Sequence, residues 1–240
     1  MRRLFGIRHQ GDPKKKKKAM KKYVFLLMIL MQFSCTEKTL SNYEKLKSDS
    51  LISQSFTDVE IQDLAKMLDF IESEICIDSE HRSTKECYEI LLKKDSIKVA
   101  NEEVLRVLNY EKQSTLYGEL DQHLFYNLWD ISSQKLYKQI EGQEYEYEHL
   151  SYYLKTYDSK YMEFLKRFAN ENKDVKKYLD EALVSGEFNT PSITAFMSID
   201  YRKFDFSDIK IQLVYAFYYL DINETRINPW DEMNKSLNLK

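Results

Sequence analysis

Five glycines and three prolines are the only strong chain breakers in 240 residues. With so few positions that take a left-handed turn or end an element abruptly, long regular segments are favoured and tight connections are rare. The spacing of apolar residues then decides which kind of segment forms. In "TDVEIQDLAKMLDFIESEIC", Ile61, Leu64, Leu68, Ile71 and Ile75 recur at three and four, which is one face of a helix. Thr57 and Glu60 have capping-box spacing and predict that helix's start. A short helix is expected around Lys85 to Lys93, and another from Asn101 to Glu111 on Val104, Leu105, Val107 and Leu108. Leu116, Leu120, Leu124, Leu128 and Ile131 predict a longer one running to Ile140, before Gly142.

The most regular stretch is "EYEYEHLSYYLKTYDSKYMEFLKRF". Tyr147, Leu154, Tyr161 and Phe168 fall seven apart, and Leu150, Tyr157 and Phe164 sit three after the first three of them. That is an a/d seam, read as helix packing with tyrosine hydroxyls at the wet edge. Asp158 and Ser159 interrupt it, which leaves one long helix or a hairpin of two. Further on, Asp174 to Ser185 ends at Gly186, a C-terminal cap, and Thr190 with Pro191 opens the next helix. Ser207 is read as the cap of "DIKIQLVYAFYYL", with Phe206 packing on Ile211 as a staple. Ile209, Ile211, Leu213, Val214, Phe217 and Leu220 surround most of that helix, which suits a central buried position. No period-2 strand of comparable strength and no internal repeat is seen. The expected fold is all-α, an irregular multi-helix bundle forming a single domain over residues 56–240.

The amino-terminal part is of another kind. Tyr23 to Phe33 is an apolar run of eleven residues, too short for the ~20 that cross a bilayer. Lys21 and Lys22 precede it and Ser34 follows, the layout of a secretory signal peptide. Met20 is the expected start, residues 1–19 being an upstream extension outside the mature protein, although Lys14 to Lys18 could instead form a basic arm. The run stops at Cys35, and the segment resembles the lipobox of bacterial lipoproteins. The usual pattern has Leu three residues before the cysteine and Ala or Ser two before; Gln32 and Phe33 stand there. The resemblance implies that residues 20–34 are removed and that Cys35 carries the acyl chains. A plain secretory signal is the alternative. Residues 35–55, "CTEKTLSNYEKLKSDSLISQS", read as a lipidated cysteine with a flexible tether. The chain is then anchored in a bacterial cell envelope, at the outer rather than the inner membrane, since Thr36 and not Asp follows the cysteine.

Beyond Cys35 the chain holds 26 basic and 38 acidic residues, a net charge near −12 that the whole-chain value of −3 conceals. An acidic exported domain is a poor nucleic-acid binder, because phosphates require a basic face. It suits a basic protein partner. At this length a chain buries about 70% of its unfolded surface, so neither metal nor staple is needed to hold a core.

Cys76 and Cys87 form an even pair in an oxidising compartment and are read as a disulfide clamping a helix hairpin, with two buried free thiols as the alternative. Cys76, His81 and Cys87 lack the spacing of a zinc site and a fourth ligand. His123 and His149 stand apart in sequence. Glu144, Glu146 and Glu148, placed on a helix, point to different sides and form no cluster. There is no GxSxG, HExxH or phosphate-binding glycine loop, so no catalytic residue, metal or cofactor is assigned. Asn223-Glu224-Thr225 and Asn234-Lys235-Ser236 match the glycan sequon, which a bacterial lipoprotein is expected to ignore. The function expected is binding of a protein or ligand in the envelope. The alternatives are an immunity-type inhibitor of an exported toxin, an enzyme acting on glycans or peptides with Glu, Asp and His, with Trp129 and Trp230 stacking on sugars, and a structural envelope protein with no specific small ligand.

Overall fold

The computed structural model describes residues 40–77, 83–101, 103, 105, 108–140, 142–225 and 229–237. The upstream extension, the signal segment, Cys35 and His81 lie outside the described residues. Among those described, eleven α-helices and one two-stranded antiparallel sheet form a unit beginning at Ser41. The chain is therefore mainly helical and not all-α.

The first departure from expectation is the tether. Asn42–Ser48 (α1) and Ser50–Ser55 (α2) are helical. Ser41 and Glu44 make a capping box, and Asp49 accepts from the N–H groups of Leu51 and Ile52. Leu46, Leu51 and Ile52 are buried in the main core, so residues 42–55 belong to the domain. Asp58–Ile75 (α3) starts at Thr57, whose capping box with Glu60 forms as expected. Thr84–Ala100 (α4) outruns its expected length. The helix expected over 101–111 is absent at its described positions: 103, 105 and 108 are non-helical, and Tyr110–Glu119 (α5) begins only behind the Asn109 cap. Leu105 and Leu108 are buried, and Val104 and Val107 of the expected helix lie outside the described residues.

Cys76 ends α3 and Cys87 lies in the second turn of α4, with their Cα atoms 5.4 Å apart at disulfide distance. Opening a bridge that closes about 12 residues is expected to cost about 3 kcal/mol. Urea denaturation of the Cys76→Ser/Cys87→Ser variant against the oxidised protein measures it, and equal midpoints would show that the bridge contributes nothing.

The expected long helix ends early. Gln122–Leu128 (α6) gives way to β1 (Trp129–Ile140), which pairs with β2 (Gln143–Leu154) from Trp129↔Leu154 at the base to Ile140↔Gln143 beside the turn. Gly142, at φ +84°, occupies the left-handed region that this two-residue connection needs. Tyr147, Leu150 and Leu154 thus sit on a strand, and only Tyr161, Phe164 and Phe168 of the supposed seam are helical, in Lys160–Ala169 (α7) behind the Ser159 cap. Lys173–Ser185 (α8) ends at Gly186, φ +80°, and Pro191–Ile199 (α9) begins at Thr190, both as expected.

A short 3₁₀ turn, Tyr201–Lys203, leads toward Ile209–Glu224 (α10), and Pro229–Ser236 is α11. Asp208, not Ser207, caps α10; Ser207 donates instead to Asp205, and Phe206 stacks on Tyr88 and packs edge-on against Tyr215. Every residue of α10 except Lys210 is buried, and it packs against α1, α3, α5 and β2. Two of its polar side chains donate inside: Gln212 to the Phe206 carbonyl at 2.7 Å, and Asn223 to Gln113 at 2.9 Å. Burial pushes the hydroxyls of Tyr88, Tyr215 and Tyr219 far up, so they stay neutral in this core.

Candidate functional site

Asp221 stands in the last turns of α10, directly after the apolar run Val214 to Leu220, and is 1% exposed. Its Oδ1 accepts from the backbone N–H of Leu154 at 2.8 Å, where β2 ends, and its Oδ2 accepts from the Asn189 amide at 2.9 Å. One carboxyl group thereby fixes the base of the hairpin and the connection between α8 and α9 to the central helix. The left-handed Gly186 turns the chain out of α8, Phe188 inserts against the rings of Tyr161 and Tyr178, and Asn189 is left pointing back at α10. On the other side, residues 155–159 leave β2. Thr156 donates to the Gly186 carbonyl at 3.1 Å and Tyr157 donates to Asp130 at 2.7 Å. Asp158 follows at φ +39°, a conformation that Asp tolerates better than most residues.

These segments enclose a recess of about 310 Å³ whose wall includes Asp130, Tyr153, Tyr157, Glu187, Phe188 and Asp221. Loss of solvation pushes the Asp221 carboxyl up to about 7, against the bonds from Leu154 and Asn189, and the charge of Glu187 adds to the rise. No ion pair reaches Asp221 among the described residues. Glu60, Asp63 and Glu74, whose side chains are also largely buried, do have one, whereas buried Asp95 accepts from the Tyr219 hydroxyl and buried Glu224 from the Gln113 amide. Burial penalises the Glu60 carboxylate, but Lys160 at 2.6 Å and the bonds from Thr57 together hold it below the usual range. Asp63 holds Lys66 and the N–H of Asp121. Glu74 holds Lys112 and the N–H of Asn109.

A second surface lies on the hairpin. Side chains alternate along a strand, so Glu144, Glu146 and Glu148 share one exposed face, which corrects the helical reading that separated them. Opposite them stand Gln139, Tyr137 and Lys135, and farther along the same face are Ser133, Ile131 and Leu150. Lys135 pairs with Glu146 and Ser133 donates to Glu148. Ile131, Tyr137 and Leu150 are all more than 40% exposed. The other face carries buried Leu136 and His149 and is covered by α11, where Lys138 donates to Asn234.

The structure scatters the remaining candidates. His123 is exposed on α6, and His149 is buried on β2 with its Nε2 2.9 Å from the Ser151 hydroxyl. Neither lines the recess. Trp129 is in the core against Tyr117, Phe125 and Phe217, out of reach of any sugar, whereas Trp230 is half exposed on α11. Asn223 of the first sequon is buried and bonded to Gln113, out of reach of a glycosylating enzyme in the folded chain. A larger concavity of about 490 Å³ is walled by Lys85, Arg202 and Lys203 together with Glu89 and Asp205, so its charges largely compensate. Among the described residues no three His, Cys, Asp or Glu side chains are grouped to hold a metal, and no helix is long and apolar enough to cross a membrane. Sequence reasoning missed Asp221. The signal was an acid within a helix apolar on every side, since a carboxylate is almost never fully buried without a partner.

No family model matches this chain, and no curated protein or solved structure resembles it at a significant level.

Proposed function

We propose that this protein is a lipid-anchored binding module of a bacterial cell envelope, held to the membrane through Cys35, whose hairpin docks a basic protein partner. The observation that carries the reading is the alignment of Glu144, Glu146 and Glu148 on one exposed face, with Lys135 the only basic side chain among that face's twelve positions. The net charge near −12 beyond Cys35 extends the field and speeds encounter with a positive surface. Exposed Ile131, Tyr137 and Leu150 supply apolar and aromatic contact at the same place. The signal-like segment and its cysteine support the envelope address.

A photo-crosslinking residue at position 137 of the full chain, expressed in a lipoprotein-processing bacterium, tests this. The expected product is a membrane-associated adduct with a protein of high isoelectric point, reduced at least tenfold in Glu144→Gln/Glu146→Gln/Glu148→Gln and by raised salt. A crosslinked partner of acidic or neutral charge, or an adduct indifferent to the triple substitution, would overturn the docking reading. Mass spectrometry of an unacylated residue 35 would overturn the anchor.

A further inference from the structure

We propose that the recess at the base of the hairpin binds an alkyl ammonium or guanidinium group, the chemistry of a lysine or arginine side chain or of a small aliphatic amine. Asp130, Glu187 and Asp221 supply three carboxyl groups to its wall, and none of its lining residues is Lys, Arg or His. Lys155 is the cation nearest in sequence; its ammonium donates to the Tyr126 carbonyl at 2.6 Å and lies 3.6 Å from Asp130, at the rim. The floor differs from the rim. Asp221 is almost wholly removed from water, yet its two partners are a backbone N–H and a neutral amide. A buried carboxylate with neutral partners is costly, and a cation entering beside it removes that cost. Each oxygen accepts one bond and retains lone-pair capacity for another.

The rest of the wall fits the rest of such a ligand. Tyr153, Tyr157 and Phe188 are among the lining residues, and aromatic side chains suit such a ligand because a ring attracts a cation and packs against methylenes. The volume, about 310 Å³, is at the small end of ligand sites and suits a short stem with a charged head. Asp130 and Tyr153 point to the strand face opposite Glu144, Glu146 and Glu148, so this site does not depend on docking at the outer face.

Agmatine is the probe, added to the full chain in detergent micelles and followed by saturation-transfer NMR, with N-butylurea as the uncharged comparison. Saturation transfer to the agmatine methylenes is expected and none to N-butylurea. Asp130→Asn/Glu187→Gln, which changes only the exposed rim, is expected to weaken agmatine at least tenfold while circular dichroism stays unchanged. A Gly-Arg-Gly-Gly amide that binds as tightly as agmatine identifies a protein side chain as the occupant; tighter binding of agmatine identifies a free amine. Equal binding of N-butylurea, no binding of either cation, or an unaffected double variant would overturn the proposal. Those results would leave the outer-face reading standing, since Glu144, Glu146 and Glu148 lie on the other face of the hairpin and are unchanged in the double variant.

Discussion

The unfolding free energy that Asp221 contributes is expected to fall as pH rises from about 4 to about 7. Its carboxyl group titrates at about 7 when folded, against 3.8 as its ordinary value, because burial disfavours the ionised form. The sign follows from proton binding. Between those two values the folded chain holds a proton on Asp221 that the unfolded chain has released, so each unit of pH in the window costs about 1.4 kcal/mol. The contribution is fully present below 3.8 and gone once pH exceeds about 7. Glu187 raises the group further by its charge, Asp130 shares the recess, and the neutral hydroxyls of Tyr161 and Tyr178 are close enough to feel it. Asp58, Glu60 and Asp205 are held below the ordinary range and act in the opposite sense, gaining stability as pH rises through their low values. The comparison is therefore between the protein and Asp221→Asn, by urea denaturation at pH 4.5 and 7.5. The difference in stability between the two is expected to change by several kcal/mol in favour of the variant. An identical pH slope in both would show that Asp221 titrates in its ordinary range.

Phe217→Ala is expected to lower stability by about 3–5 kcal/mol, the range for removing a fully buried ring. Phe217 is 0% exposed in the middle of α10, 4.2 Å from the Tyr161 ring and 5.9 Å from Trp129 by centroid. Its loss opens a cavity between the central helix, the start of α7 and the base of β1, three elements from distant parts of the chain. Val184→Ala, at an 88% exposed position on α8, is expected to change stability by less than about 0.5 kcal/mol. Chemical denaturation monitored by far-ultraviolet circular dichroism measures both. A Phe217 variant within 1 kcal/mol of the parent would mean that α10 is not the centre of the core.

The helix starts and stops were the most legible parts of the fold, because a cap is a contract between residues three apart. Thr57 with Glu60, Gly186, and Thr190 with Pro191 all form where their local chemistry places them. Ser41 with Glu44 is the same signal and was overlooked beneath the polar composition of residues 36–55. The hairpin was misread for a physical reason. A spacing of seven is two helical turns, but Tyr147 and Leu154 lie on β2 while Tyr161 and Phe168 lie on α7, and the Ser159 cap separates them. The alternation of Glu144, Glu146 and Glu148 with Tyr145, Tyr147 and His149 was the better signal, and Gly142 marked the turn. β1 gave little help, since "SSQK" has no apolar alternation and a strand of that composition is specified by its partner.

By itself, the sequence determined the buried central helix, the capped helices around it, and a cysteine pair close enough in the chain to be joined. Each of these rests on residues within one or a few turns of one another. Tertiary structure alone decided that Glu144, Glu146 and Glu148 face one way, and that Asp221 meets Leu154 and Asn189 beneath the hairpin. A strand exists only against its neighbour, and a recess only where segments around positions 130, 157, 187 and 221, a strand, two connections and a helix, converge. No local pattern encodes such a meeting, because the free energy that brings those segments together comes from the core they share.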